Sequence, residues 1–178
     1  LDVEDCEMIE LAAPMHDIGK IGIPDQILLK PGRLSLEEFT ILKQHTRIGY
    51  EILKDSPSKY LQMGAVIALG HHEKFNGSGY PQRLRGEDIP LVARIVAVAD
   101  VYDALSSKRC YKPAWPHHDI LTMLHKQSGQ HFDPRCVQAF TSQLEEVHTI
   151  QTPSPMSRAT APRDHTWLLS VTLVETRH

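Results

Sequence analysis

Cysteine is scarce and scattered in this sequence: Cys6, Cys110 and Cys136 are odd in number and far apart. Such a set offers neither a disulfide framework nor a thiolate zinc site, and it reads as reduced thiols in a cytosolic, cytoplasmic setting. Long apolar runs are missing as well. No stretch approaches the roughly 18 apolar residues of a membrane span, so no transmembrane helix is expected. The first residues also lack the basic-then-apolar order of a secretory signal. An excess of positive charge is absent too, with 19 Lys and Arg against 22 Asp and Glu and a formal charge of -3 when the 11 His are neutral. That balance argues against a long nucleic-acid polymer as partner, but a small nucleotide needs only a few local basic residues.

What is present suits one globular domain: 178 residues, 41% apolar and 23% charged, enough for a sizeable core. Apolar spacing is helical almost throughout, so the expected fold class is all-α. Over residues 3–16, Val3, Cys6, Ile9, Leu11, Ala12, Ala13 and Met15 form a stripe opposite Glu4, Asp5, Glu7 and Glu10, and Pro14 should loosen the last turn. This pattern opens without a cap-like lead, which suggests a first helix upstream of residue 1. Ser35-Leu36-Glu37-Glu38 is a capping box. The helix it starts should place Phe39, Ile41, Leu42, His45, Ile48, Ile52 and Leu53 inside and stop before Pro57. Another helix is expected over residues 59–72, and a turn-rich loop follows it. Residues 91–105 are rich in Val and Ile, which would suit a buried strand, but a run of about 16 residues favours a buried helix, Leu91 included. Helices are also expected from His117 to Lys126 and from Asp133-Pro134 onward, with Val137, Phe140 and Leu144 inward. Residues 1–146 read as the domain. Residues 147–178 read as a Ser/Thr/Pro-rich disordered tail, with a short β-prone run from Trp167 to Val174.

Chemistry-bearing residues fall at helix ends and inward faces. His16-Asp17 ends the first helix, where adjacent side chains can aim at one metal ion. Lys20 follows three residues on, within reach of an anionic substrate. His45 lies on an inward face, as a core histidine bonded to a carbonyl or as a ligand. His71-His72 closes the helix of residues 59–72, as a solvated end or as part of a cluster. Asp100 follows nine mostly apolar residues, a costly place for a carboxylate that is neither paired nor metal-bound. Lys108, Arg109 and Lys112 concentrate positive charge beyond that helix, as a favourable helix end with a wet surface or as a phosphate-binding patch. Imidazole and carboxylate without thiolate suit Fe, Mn or Zn. Six such ligands exceed one tetrahedral ion, which points to two ions bridged by a carboxylate such as Asp17.

Taken in order, these motifs closely resemble the HD-GYP family, the helical HD-superfamily phosphodiesterases of bacteria that hydrolyse cyclic di-GMP. The matching stretches are His16-Asp17-Ile18-Gly19-Lys20-Ile21-Gly22-Ile23-Pro24-Asp25, Leu29-Lys30-Pro31-Gly32, His45 with Gly49, and His71-His72-Glu73. Gly79-Tyr80-Pro81, Ile89-Pro90, Asp100-Val101-Tyr102-Asp103-Ala104-Leu105, Arg109-Cys110-Tyr111-Lys112 and Gly129-Gln130-His131-Phe132-Asp133-Pro134 complete the set. The resemblance covers about residues 3–144.

It implies an HD-superfamily helical bundle, here lacking its first helix, which in the family supplies a His and, in trinuclear members, a Glu. It implies two divalent ions, Fe or Mn foremost and Zn, Ni, Co or Mg as alternatives, held by His16, Asp17, His45, His71, His72 and Asp100. Lys20 then matches the lysine beside the scissile phosphate, and Arg109 with Lys112 the pair that binds the dinucleotide. Gly79 and Tyr80 belong to the signature loop, which shapes the pocket and is proposed to contact GGDEF-domain diguanylate cyclases. The implied reaction opens cyclic di-GMP to linear pGpG, and in some members continues to GMP, through hydroxide activated at the bimetal site. A receiver or other sensory domain is implied upstream. Asn76 stands where the family usually has Asp. The alternative is a catalytically impaired metal- and nucleotide-binding module that signals by contact through Gly79-Tyr80-Pro81.

Overall fold

A computed structural model describes residues 1–108 and 113–143. The expected helix and tail positions Leu144, Trp167 and Val174, like Cys110, lie outside the described residues. Among the described residues the fold is all-α, with only an isolated bridge between Ser128 and Phe132. None of its helices is long and apolar enough to cross a membrane.

Helix α1 runs Val3–Ala12 and is capped by Asp2, whose carboxylate accepts the Asp5 N–H at 2.8 Å. The chain therefore does carry an N-cap lead, contrary to the sequence reading, because Asp at the residue before a helix satisfies an otherwise unpaired amide. Of the expected α1 stripe only Ile9 and Ala12 are fully buried, while Val3, Cys6 and Leu11 are exposed. Pro14 does loosen the end of this segment, which tightens into a 3-10 turn over Ala13–Met15. A second 3-10 turn, Ile18–Gly22, follows, and then the short α2, Asp25–Leu28, opened by Pro24.

The capping box at Ser35 forms in full, with Ser35 Oγ taking the Glu38 N–H and the Glu38 carboxylate taking the Ser35 N–H. The single helix expected beyond it is two, α3 (Leu36–Leu42) and α4 (Gln44–Leu53), broken at Lys43. Two side chains explain the break. The His45 imidazole hydrogen-bonds the Leu42 carbonyl at 2.7 Å, and the Thr46 hydroxyl donates to the Lys43 carbonyl at 2.9 Å. Such local bonds compete with the helical ladder. The break changes the register of α4, whose Ile52, expected inside, is exposed; Ile41 of α3, also expected inside, is exposed as well.

Helix α5 (Lys59–Gly70) is central and packs against α1, α4 and α6. Its Gly64, Ala65, Ala68 and Gly70 let neighbours approach closely, and Ile67 is fully buried, worth about 1.5–3 kcal/mol. Helix α6 (Leu91–Ser106) is the long buried helix rather than a strand. Leu91, at its first turn, remains exposed. Val98, Val101, Tyr102 and Leu105 of α6 form the largest core with Ile120 and Leu124 of α7 (His117–Lys126) and Val137 of α8 (Pro134–Ser142). Asp133 caps α8 through the Arg135 N–H, with Pro134 in the first turn, and also receives the buried guanidinium of Arg94. The arrangement turns the α1 end, the α4 start, the α5 end and one face of α6 toward a common point.

Candidate metal centre

That point is Asp17. It sits between the two 3-10 turns, outside regular helix, so it and His16 face the same side of the chain. Its Oδ1 lies 3.4 Å from Nε2 of His45 at the start of α4 and 3.8 Å from Nε2 of His71 at the end of α5. Its Oδ2 faces the other way, 3.3 Å from Nε2 of His16 and 2.5 Å from Nζ of Lys20. His16 Nε2 in turn stands 3.6 Å from Asp100 Oδ1 on α6. Asp17, His45, His71 and His72 offer one ligand atom each within 4.8 Å of one another, and all four are buried.

The two alternatives for His45 turn out to be compatible. One ring nitrogen serves the core by donating to the Leu42 carbonyl, and the other faces Asp17. His16 does the same through the Ala13 carbonyl at 2.8 Å, and His71 through the carbonyls of Ile67 and Ala68, both at 3.1 Å. With Nδ1 donating to a carbonyl, the lone pair of the neutral His45 and His71 rings falls on Nε2, the nitrogen that points inward. This is the outer support that orients histidine ligands of metals. His71 and His72 are not a solvated helix end, at 2% and 7% exposed.

Three converging atoms test whether a cation fits. Asp17 Oδ1, His45 Nε2 and His71 Nε2 are buried and make no hydrogen bond among the described residues. Buried polar atoms ordinarily find partners, and a set of imidazole nitrogens with a carboxylate oxygen suits a divalent ion. The residues present fit a metal ion.

The electrostatics agree. Burial drives the pKa of His45 down to about 4 and those of His71 and His72 well below the usual value, so these three rings are neutral donors near pH 7. Burial would also raise Asp17, but contact with His16 and the charges of Lys20 and His16 outweigh it and hold the carboxyl well below its usual range. Burial opposes protonation of His16, yet the Asp17 and Asp100 carboxylates outweigh it and raise its pKa to about 9. Burial raises Asp100, with His16 opposing. Asp17 is therefore ionised, and His45, His71 and His72 keep their lone pairs, the protonation states a metal-binding set requires.

Each expected site residue within the described segments falls at or beside this cluster. His16, Asp17, Lys20, His45, His71, His72 and Asp100 converge. Gly79 and Tyr80 follow in the loop after α5, where Tyr80 is buried with its ring stacked on His72 at 4.8 Å. Arg109 and Lys112 lie outside the described residues. Sequence reasoning named Glu73 only within a matching stretch and Phe39 only as an inward apolar residue, and it passed over Lys43; all three support this loop. Only Glu73 carried a signal, as a Glu directly after two candidate ligands and before a glycine-rich stretch.

Fold and cluster together describe an all-α domain with a buried Asp/His set fit to hold a metal ion. The profile of the HD domain matches residues 1–136. The chain belongs to the HD domain family, within the HD-GYP type that its motifs mark. It is 55% identical over 150 residues to the cyclic di-GMP phosphodiesterase response regulator RpfG of Xanthomonas campestris pv. campestris, covering 83% of this chain and 40% of that protein. A cyclic di-GMP phosphodiesterase of Thermotoga maritima is 52% identical over 142 residues, 80% of this chain and 39% of the relative. A 3'3'-cGAMP-specific phosphodiesterase 2 of Vibrio cholerae is 45% identical over 151 residues, 85% of this chain and 29% of the relative. The chain thus spans well under half the length of these relatives.

Proposed function

We propose that this chain is the catalytic region of a phosphodiesterase that hydrolyses cyclic di-GMP to linear pGpG, and onward to GMP, with two divalent ions, Fe or Mn. The observation that carries the reading is the convergence on Asp17, whose two oxygens face different ring nitrogens: Oδ1 toward His45 and His71, Oδ2 toward His16. A carboxylate placed so is suited to bridge one ion near His45, His71 and His72 and another near His16 and Asp100. Ions held there would polarise the phosphodiester and lower the pKa of water.

The chain's own residues do the rest. The carbonyl-anchored imidazoles of His45 and His71 keep their Nε2 lone pairs directed without rearrangement, and such preorganisation lowers the reorganisation needed at reaction. The Lys20 ammonium, 4% exposed beside Asp17, is placed to hold charge developing on a phosphate oxygen. Arg109 and Lys112 hold the dinucleotide through its phosphates. Relatives named for cyclic di-GMP match at 42–55% and those named for 3'3'-cGAMP at 35–45%, and the higher range supports cyclic di-GMP as the substrate. A sensory domain upstream and GGDEF-domain cyclases are the partners we infer, in the cytoplasm.

The test is reconstitution of the purified full chain with Fe or Mn under reducing conditions, followed by incubation with cyclic di-GMP. Two metals per chain and a linear product are expected. Fewer than two metals together with no turnover would sink the reading.

A further inference from the structure

We propose that Glu73 is a positioning residue of this centre: its buried carboxylate clamps the loop that holds the Tyr80 ring against the imidazole of His72. The proposal rests on the reading of the Asp17 cluster as a metal site. Glu73 is 2% exposed and follows His72 directly. Its Oε1 accepts the N–H of Gln82 at 2.7 Å and its Oε2 the N–H of Leu84 at 3.0 Å. Between those amides stands Arg83, which has φ 57, the one positive value at a non-glycine residue among the described residues. A left-handed residue between amides that face one point makes a backbone concavity suited to an anion. An arginine persists in that conformation only where its surroundings enforce it. Here the Glu73 carboxylate does so.

The clamp reaches the metal ligands through Tyr80. The Tyr80 N–H donates to the His72 carbonyl at 3.2 Å, and the two rings stack at 4.8 Å and 27°. Phe39 meets the Tyr80 ring edge-on at 6.2 Å. The Lys43 ammonium lies 4.5 Å from the Phe39 centroid and 5.2 Å from that of Tyr80, close enough for attraction to each ring face. The main chain of residues 72–74 meets the loop at Gly79, where a β-carbon would stand 2.2 Å from Lys74 N and 2.6 Å from Glu73 Cα. Glu73 and the Phe39–Lys43 pair therefore hold the Tyr80 loop from two sides. The His72 ring thus has the Tyr80 ring packed on its face.

Outer supports of metal-binding histidines affect metal affinity or activity by about 10–100-fold when removed. The experiment compares the full chain with its Glu73→Ala, Glu73→Gln and Tyr80→Leu forms by Mn(II) titration and by amide hydrogen exchange, with no turnover required. Glu73→Ala should weaken Mn(II) binding about 10–100-fold and speed exchange at residues 80–84, leaving α5 and α6 protected. Glu73→Gln, which keeps one acceptor oxygen, should recover part of both effects. Tyr80→Leu should weaken Mn(II) while the Gln82 and Leu84 amides stay protected. Unchanged Mn(II) affinity in Glu73→Ala, or exchange that rises evenly over all helices, would overturn the proposal. A parent chain that binds no Mn(II) would overturn the metal-site reading and the proposal with it. Parent binding with an indifferent Glu73→Ala would overturn the proposal alone.

Discussion

Gly19 lies so close to the main chain of His45 that a β-carbon built on it would stand 1.9 Å from the His45 carbonyl oxygen. The same carbon would meet Gly49 N at 2.4 Å, so the turn carrying Asp17 seats flush on α4 only because residue 19 has no side chain. That seating brings Asp17 Oδ1 to 3.4 Å from His45 Nε2. The glycine of the His-Asp motif is thus a packing requirement of the metal centre.

Replacing it should be costly. Gly19→Ala drives a methyl group into backbone, and overpacking of this kind costs about 3 kcal/mol or more. For a chain of this size, that lowers the melting temperature by roughly 6–12 °C. Gly22→Ala should cost less, about 1 kcal/mol, because the atoms it would meet belong to the Ile48 side chain, 2.9 Å away at the nearest, and not to backbone. Thermal melts of the two variants decide the matter, and equal shifts would show that the close approach does not position α4.

The helices and the cluster were legible in sequence for different reasons. Helix periodicity sufficed for α5, α6 and α7, because each buries a continuous apolar face, and α7 is bounded by Pro116 before it and Ser128-Gly129 after it. It failed at Lys43, because the bonds that break the helix there come from the His45 and Thr46 side chains, whose partners periodicity does not reveal. The cluster was legible because buried carboxylates and inward histidines are chemically conspicuous at Asp17, His45 and Asp100. Its supports were not. Glu73 stands in the sequence only as the third residue of His71-His72-Glu73, and its role shows when the fold brings the amides of Gln82 and Leu84 onto it.

Acid should expose a second histidine, away from the metal centre. Burial, with the Lys74 charge adding to it, pushes the pKa of His131 down to about 3, whereas in an unfolded chain it is about 6.5. Between those values the unfolded chain binds a proton that the folded chain refuses. Stability is therefore retained above about pH 6.5 and lost progressively as pH falls toward about 3. His131→Phe removes this linkage while keeping a ring on Phe132, where the two rings now stack at 4.3 Å and 4°. His45 shares the acid trend, so the readout is the difference in melting temperature between variant and parent. That difference should move in favour of the variant from pH 7 to pH 4. A constant difference over that range would mean that His131 titrates normally in the folded protein.

The two members of the Asp17–Lys20 pair should fail in opposite ways. Both are buried, with Nζ of Lys20 2.5 Å from Asp17 Oδ2. Asp17→Asn removes the carboxylate that faces His16, His45, His71 and the Lys20 ammonium at once. It should abolish metal retention and destabilise the chain by about 3–5 kcal/mol, the usual penalty for stripping one partner from a buried ion pair. Lys20→Met leaves Asp17 with its charge less compensated, so the attraction for a divalent ion is kept or strengthened. Metal content should stay at the parent level, while turnover of cyclic di-GMP falls about 100–1000-fold, the loss expected when one charge-stabilising donor is removed from a transition state. Metal per chain, melting temperature and product formation measured on the same preparations separate the two. If Lys20→Met loses metal as completely as Asp17→Asn, the lysine serves the fold of the site, and its assignment to the phosphate is wrong.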